Sequence, residues 1–181
     1  MNHDQTISRL AHRLGTGYFV HTSILEVLDT VDLAQPIDWT KESQAFRKDG
    51  SFHRFAADHY FREAVADEAT RLDLDRVWIA GALLQLGDAL DRIEYYDRAP
   101  ILELVRHLRN AVAHGNRFRI NKAEVLDKFP AHNRDLRWHD GPAIEIVAAL
   151  HDQPLMFDFM NPADFVDVFL AVAEYLRLCG M

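Results

Sequence analysis

Apolar residues recur at helical spacing along most of this 181-residue chain, and few residues interrupt them. Only 6 Pro and 8 Gly are present, and we find no internal repeat or low-complexity tract. Because Pro and Gly are the strongest breakers of regular structure, their scarcity favours helices joined by short connections. A hydrophobic share of 49% is sufficient for a buried core. The sequence therefore predicts one compact, all-α domain over residues 1–181.

The pattern predicts a bundle of five to six main helices. In the first half of the chain, we expect helices over residues 5–14 and 18–31, separated at Gly15 and Gly17, and a loop around Pro36. Ser51 is a candidate N-cap for a helix that runs to about residue 72. The next helix, which begins at Asp73 or Asp75 and runs to residue 94, is apolar on more than one face, which is typical of a central, largely buried helix.

In the second half, Pro100 begins a helix that Gly115 ends, and Asn161 with Pro162 begins the last helix. Between these two helices the pattern changes. Residues 143–147 and 155–159 are short β-prone runs that flank a turn-like segment at residues 151–154. They predict a small β-hairpin inserted before the C-terminal helix.

The chain is acidic, with a net charge of −8 when its 10 His are counted neutral, which disfavours binding of nucleic acid by the whole surface. Cys179 is the only cysteine, so an intrachain disulfide and a zinc site built from cysteines are excluded. The first residues lack the basic and apolar runs of a secretory signal, and no uncharged apolar run reaches the length of a membrane span. We therefore expect a cytoplasmic protein without a membrane partner.

One segment departs from the acidic average. Residues 104–123 contain no Asp or Glu but carry five Arg or Lys residues. Against a net charge of −8, these positive charges leave −13 for the rest of the chain. A solvated basic face is the ordinary interpretation of such a segment.

Within this segment, Arg109, Asn110 and His114 place a guanidinium, a carboxamide and an imidazole within two turns at the end of a predicted helix. At about 100° per residue, Asn110 and His114 lie one above the other, and Arg106 continues the same stripe. An imidazole exchanges protons near neutral pH and a guanidinium stays charged, as general acid–base attack on a phosphodiester requires. A His at a helix end can instead bond the last carbonyls, so the spacing alone leaves both interpretations open.

This segment also resembles a known family. Arg109, Asn110, His114 and Gly115, at the end of a helix in a small all-helical chain, are similar to the signature motif of the HEPN superfamily (higher eukaryotes and prokaryotes nucleotide-binding domains). The specific match covers residues 108–116. The resemblance implies a single HEPN-like helical bundle over the whole chain.

The resemblance also implies a metal-independent endoribonuclease that acts as a homodimer, with the two motifs facing each other across a composite cleft. His114 would be the general acid and base acting on the 2′-hydroxyl and the leaving 5′-oxygen. Arg109 would bind the scissile phosphate, and Asn110 would orient His114 or that phosphate. Because the 2′-oxygen is the nucleophile, the products would be a 2′,3′-cyclic phosphate and a 5′-hydroxyl. No cofactor and no metal are expected.

If the substrate is RNA, other basic residues of the segment are candidates for contacts to its backbone: Arg106, Arg117, Arg119 and Lys122. Phe118 is a candidate surface for stacking on a base. Each of these five residues is also compatible with ordinary surface or loop packing. The resemblance extends to toxins, whose antitoxin would here be a separate protein, and to phage-defence effectors.

A second class of function stays open, since some members of the superfamily do not cut RNA. The alternative is a non-catalytic HEPN-like dimeric module that binds a nucleotide or a partner protein.

The histidines do not favour a metal site, because none forms His-x-x-x-His or His-Glu-x-x-His. Three carboxylates of the preceding helix could pair with Arg106 or orient His114: Asp88, Asp91 and Glu94.

Overall fold

The computed structural model describes residues 3–30, 43–136 and 141–180. Within these ranges the chain is mostly helical, as predicted, with six α-helices and one two-stranded antiparallel sheet. The elements are α1 His3–Thr30, β1 Ser43–Phe46, β2 Phe52–Phe55, α2 Ala57–Ala66, α3 Glu68–Asp91, α4 Pro100–Ala113, α5 Ala123–Lys128 and α6 Pro162–Leu178, with a 3₁₀ turn at Ala148–Leu150. The loop predicted around Pro36 lies outside the described residues. None of the helices in the described ranges has the length and apolarity needed to cross a membrane.

The chain divides into two compact units. The larger unit comprises Met1–Tyr18 and Asp75–Met181, and it contains the main core and every candidate site residue. The smaller unit, Phe19–Leu74, contains the sheet and α2. Strands β1 and β2 pair in register from Ser43 opposite Phe55 to Phe46 opposite Phe52.

Helix α6 is buried around most of its surface and lies in the core of the larger unit. Its start was predicted correctly: Pro162 occupies the first turn, and the Asp164 carboxylate accepts a 2.8 Å hydrogen bond from the Asn161 backbone N–H. The helix predicted over residues 73–94 is present as α3, but it is not the largely buried, central helix that we expected. In α3 the buried residues from position 79 onward follow one stripe, and Val77 is 71% exposed.

The predicted break at Gly15 and Gly17 was also wrong, because α1 continues through both residues. A Cβ atom at Gly15 would lie 3.1 Å from Leu170 Cδ2, and one at Gly17 would lie 2.8 Å from Trp78 Cζ2. These glycines therefore permit close packing, within the larger unit, of the first part of α1 against Leu170 of α6 and Trp78 of α3. Packing in the larger unit compensates for the low helix propensity of glycine.

The hairpin predicted before the last helix is absent from the described residues, since its two runs pair with different segments. The first run pairs with residues 131–133: the Ile146 N–H donates to the Ala131 carbonyl at 2.9 Å. The second run and the residues before it pair with residues 116–118: the Leu155 N–H donates to the Asn116 carbonyl at 3.0 Å. Both runs bury apolar side chains, which explains their β-prone composition.

Only the second strand of the observed hairpin, β2, lies in the segment for which we predicted a helix with Ser51 as its N-cap. Instead, Ser51 closes the hairpin turn, where its carbonyl accepts a 2.7 Å hydrogen bond from the Arg47 N–H. Gly50 adopts a φ of +82°, a left-handed conformation that glycine accommodates without strain. Asp49 followed by Gly50 is a sequence signal for such a turn.

The connection between α3 and α4 contains three consecutive non-glycine residues in the left-handed region, Glu94, Tyr95 and Tyr96, with φ of 52°, 54° and 50°. Tyr95 anchors this turn: its ring is buried and its hydroxyl donates to the Gly87 carbonyl at 3.3 Å. Burial raises the pKa of Tyr95 to about 12, so the phenol remains a protonated donor at neutral pH. Packing of Tyr95 therefore holds a strained backbone in place.

Replacing the exposed Glu94 with Asn should relieve part of this strain, because Asn adopts left-handed conformations more readily. We expect Glu94→Asn to stabilise the protein by up to about 1 kcal/mol and to raise the melting temperature by about 2–4 °C. Thermal unfolding followed by circular dichroism measures this. Glu124→Asn, at an exposed position in α5, is the control and should not stabilise; equal effects of the two substitutions would contradict the explanation.

Candidate active site

Helix α4 presents two different faces. Its apolar residues are buried in the core of the larger unit: Ile101, Leu102, Leu104, Val105, Leu108 and Ala111. The helix begins at Pro100 and ends just before Gly115, at Ala113, as predicted. Gly115 adopts the left-handed conformation, with a φ of +78°. The core face therefore fixes the direction in which the polar residues at the end of α4 point.

Arg109 lies between α4 and α3. Its guanidinium donates to Asp88 Oδ1 from Nε at 3.2 Å and from Nη2 at 2.8 Å. The methylenes of Arg109 lie against Gly87, where a Cβ atom would be 2.5 Å from Arg109 Cγ. Of the three carboxylates predicted near the basic stripe, Asp88 reaches it, but its partner is Arg109 and not Arg106. Asp91 and Glu94 form no ion pair with the basic residues of the segment in the described part of the chain, so neither is placed in the site.

Asn110 and His114 complete the end of the helix. The Asn110 Oδ1 atom accepts a 3.4 Å hydrogen bond from Arg109 Nη1, and the Asn110 side chain is half-buried. His114 is the C-cap residue, and its backbone N–H donates to the Asn110 and Ala111 carbonyls at 3.1 and 3.2 Å. Its imidazole is exposed and makes no hydrogen bond or ion pair within the described part of the chain. The end of α4 thus offers a held guanidinium, a carboxamide that contacts it, and an accessible imidazole one turn further on.

The helical spacing predicted that Arg106 continues the polar stripe of Asn110 and His114, but the structure places Arg106 among different contacts. It donates from Nε to Oε2 of Glu103 at 2.6 Å, and Glu103 is fully buried. Arg98, from the connection before α4, binds the other oxygen of the same carboxylate. The Nη2 atom of Arg106 is buried without a hydrogen-bond partner among the described residues. Arg106 is therefore committed mainly to a buried ionic cluster.

The remaining basic candidates lie after Gly115. Arg117 donates from Nη1 to the Asp152 backbone carbonyl at 2.6 Å, and Arg119 Nη1 lies 3.4 Å from the Asp152 carboxylate. Both arginines are exposed, and Lys122, just before α5, is exposed as well. The backbone pairing of residues 116–118 with residues 152–155 places these side chains on one connection of the larger unit.

The interpretation of Phe118 as a base-stacking surface was wrong. Its side chain is only 1% exposed, and its ring packs edge-to-face against Phe159 with centroids 5.3 Å apart. A buried ring cannot stack on a base of a substrate. Phe118 instead fastens the connection after α4 to the core.

The positive charge of residues 104–123 is thus partly neutralised by carboxylates outside that segment. Arg106 pairs with Glu103, Arg109 with Asp88, and Arg119 with Asp152. Glu103 was not among the carboxylates predicted near the basic stripe, although an acid three residues before an Arg on a helix is a recognisable pair. Asp88 and Asp152 are distant in sequence, and only the fold brings them to their partners.

Comparisons with known proteins assign no family to this chain. No protein-family model, curated protein or solved structure matches it. Across residues 3–30, 43–136 and 141–180, no three His, Cys, Asp or Glu side chains lie close enough together to hold a metal ion. A functional assignment therefore depends on the geometry at the end of α4.

The close contact between α3 and α4 can be tested with two glycines of α3. Gly87→Ala would place a Cβ atom 2.5 Å from Arg109 Cγ and 2.8 Å from Arg109 Cβ, so the helices or the Arg109 stem must shift. We expect this change to destabilise the protein by about 1–3 kcal/mol in urea denaturation. A Cβ atom at Gly81 meets nothing within 4 Å, so Gly81→Ala should stabilise by about 0.5–1 kcal/mol. The same effect of both substitutions would refute the close contact.

His107, also on α4, makes stability depend on pH. It is half-buried, and its Nε2 atom has no hydrogen-bond partner within the described residues. Burial, with a smaller contribution from the Arg106 guanidinium, lowers the pKa of His107 from 6.5 to about 4. As the pH falls below 6.5, the unfolded chain gains a proton that the folded chain does not. The associated stability is therefore complete above pH 6.5 and is lost as the pH falls toward 4.

His107→Leu should remove this loss. Between neutral pH and pH 4, we expect the wild type to lose about 3 kcal/mol more of its free energy of unfolding than the variant, at about 1.4 kcal/mol per pKa unit. Urea titrations across this range provide the measurement. His12→Leu, at an exposed position in α1, should keep the wild-type dependence; a His107→Leu curve parallel to the wild type would show that His107 does not titrate in this way.

Proposed function

We propose that this chain is a metal-independent endoribonuclease of HEPN type that acts as a homodimer. The observation that carries the proposal is the arrangement at the end of α4, where Arg109 contacts Asn110 and the exposed imidazole of His114 lies one turn away. This arrangement supplies a fixed positive charge and an imidazole that can accept and donate protons, on one exposed helix end. Both accelerate the cleavage of a phosphodiester through an internal nucleophile.

In the proposed reaction, His114 removes the proton from a ribose 2′-hydroxyl, and the 2′-oxygen attacks the adjacent phosphorus. The bond from phosphorus to the 5′-oxygen breaks, and a His114 imidazolium, from the same or the second subunit, donates a proton to that oxygen. Arg109 neutralises the charge that develops on the phosphate in the transition state. The products are a 2′,3′-cyclic phosphate and a 5′-hydroxyl.

The exposed arginines after α4 are suited to bind the backbone of a longer RNA. Arg117 and Arg119 donate to Asp152 but remain accessible, and Lys122 adds a third charge on the same connection. Arg106 is less suited, because Glu103 holds it in a buried cluster. A toxin or phage-defence effector is a role that such an RNase could have.

A second candidate is a non-catalytic dimeric module that binds a nucleotide or a partner protein. It is favoured by the pairing of three basic side chains of the segment with carboxylates, which weakens the local field available to a polyanion. In such a module Arg109 and Asp88 would serve only to join α3 and α4.

The ribonuclease cleaves RNA and the non-catalytic module does not, so an RNA cleavage assay distinguishes the two candidate functions. We expect the wild type to cleave total RNA in EDTA, to leave DNA intact and to produce 2′,3′-cyclic phosphate ends. His114→Ala and Arg109→Ala should each lower the cleavage rate by about 100-fold or more. Cleavage is followed on denaturing gels, and end groups by mass spectrometry.

His59→Ala is the matched control, since His59 is an exposed histidine on α2 of the other unit and should be dispensable for cleavage. Cleavage that requires a divalent metal, or that cuts DNA at an equal rate, would refute the mechanism. A folded wild-type dimer that cuts no RNA, and whose expression is no more toxic than that of His114→Ala, would favour the binding module.

A further inference from the structure

Two consecutive residues of α3, Gly87 and Asp88, both meet the Arg109 side chain. The missing side chain of Gly87 leaves space for the stem of Arg109, and the Asp88 carboxylate binds the guanidinium at its end. One residue thus permits the approach and the next determines where the charge is held. We infer that Asp88 is a positioning residue that holds Arg109 in the orientation in which it binds a phosphate, an inference that rests on the proposed ribonuclease function.

The hydrogen bonds of Arg109 leave room for a phosphate. Asp88 Oδ1 accepts one N–H from Nε and one from Nη2, and Asn110 Oδ1 accepts one from Nη1. A guanidinium has five N–H groups, so each terminal nitrogen keeps one N–H that has no acceptor among the described residues. Two N–H donors on neighbouring nitrogens suit two oxygens of one phosphate. Asp88 can therefore hold the guanidinium while Arg109 binds a substrate.

A purely stabilising role explains this pair less well. The side chains are 34% exposed for Arg109 and 53% exposed for Asp88, and ion pairs at that exposure contribute little to folding. Immobilising a flexible Arg side chain before the substrate arrives does, however, favour a reaction that needs the charge at one place. Loss of Asp88 should therefore impair the proposed chemical step and leave the folded protein intact.

The test compares three variants in RNA cleavage with a short fluorescent substrate. Asp88→Ala should lower kcat by about tenfold or more with little change in KM, because Arg109 loses its fixed position. Asp88→Asn keeps an oxygen that accepts both hydrogen bonds and should retain activity within about threefold. Asp91→Ala, an exposed carboxylate one turn further along α3, makes the same change in net charge and should cleave like the wild type.

A second measurement follows the Arg109 side chain directly. In ¹⁵N spectra of the arginine Nε–H groups, the Arg109 signal, assigned by its loss in Arg109→Lys, should be well dispersed in the wild type and in Asp91→Ala. In Asp88→Ala it should move to the position of mobile arginines. The Arg109 Nε–H signal would not change if Asp88 only stabilised another part of the fold.

The outcomes separate the two proposals. Higher activity of Asp88→Ala than of the wild type would overturn the inference, since Asp88 would then compete with the phosphate for Arg109. Equal activity of Asp88→Ala and the wild type, or an unchanged Arg109 signal, would also overturn it while leaving the ribonuclease in place. Absence of cleavage by the wild type would overturn the proposed function, and the inference with it.

Discussion

The buried carboxylate of Glu103 is the constraint on which the geometry of α4 depends. A carboxylate without solvent contact is costly unless cations and hydrogen bonds compensate for the lost hydration. Two arginines do so: Arg106 from the next turn of α4 and Arg98 from the connection before it. The Arg98 guanidinium also lies over the Phe129 ring, 4.3 Å from its centroid. Rotation of α4 about its axis would break these contacts, so the cluster and the apolar face together fix where the end of the helix points.

Local signals in the sequence predicted the features that local interactions determine. Pro100 and Gly115 bound α4, and Asn161 with Pro162 begins α6, because each acts on the backbone within one turn. The predictions failed where distant segments decide. Gly15 lies within α1, at a position where Leu170 leaves little room for a side chain. Residues 143–147 pair with residues 131–133 rather than with the run that follows them. Neither Leu170 nor residues 131–133 can be identified as contact partners from the residues that immediately surround Gly15 or residues 143–147.

The same division applies to the site. The sequence places Arg109, Asn110 and His114 on one helix end, because their spacing alone determines their relative positions on a helix. It could not show that Asp88 holds Arg109, since these residues are 21 positions apart and meet only through the packing of α3 against α4. A glycine within a helix ordinarily weakens it. The missing side chain of Gly87, however, allows α3 and α4 to approach each other at Arg109.

These ion pairs change how much positive charge the basic segment presents to a polyanion. A chain with a net charge of −8 disfavours polyanions over most of its surface, and from the sequence alone the basic segment offsets this locally. In the folded chain, carboxylates reach Arg106, Arg109 and Arg119, so the local field is weaker than the sequence suggested. If the protein acts on RNA, short-range hydrogen bonds from a held guanidinium must then contribute more than bulk attraction. An ordered Arg109 side chain is what such recognition requires, since directed hydrogen bonds, unlike a diffuse field, depend on orientation.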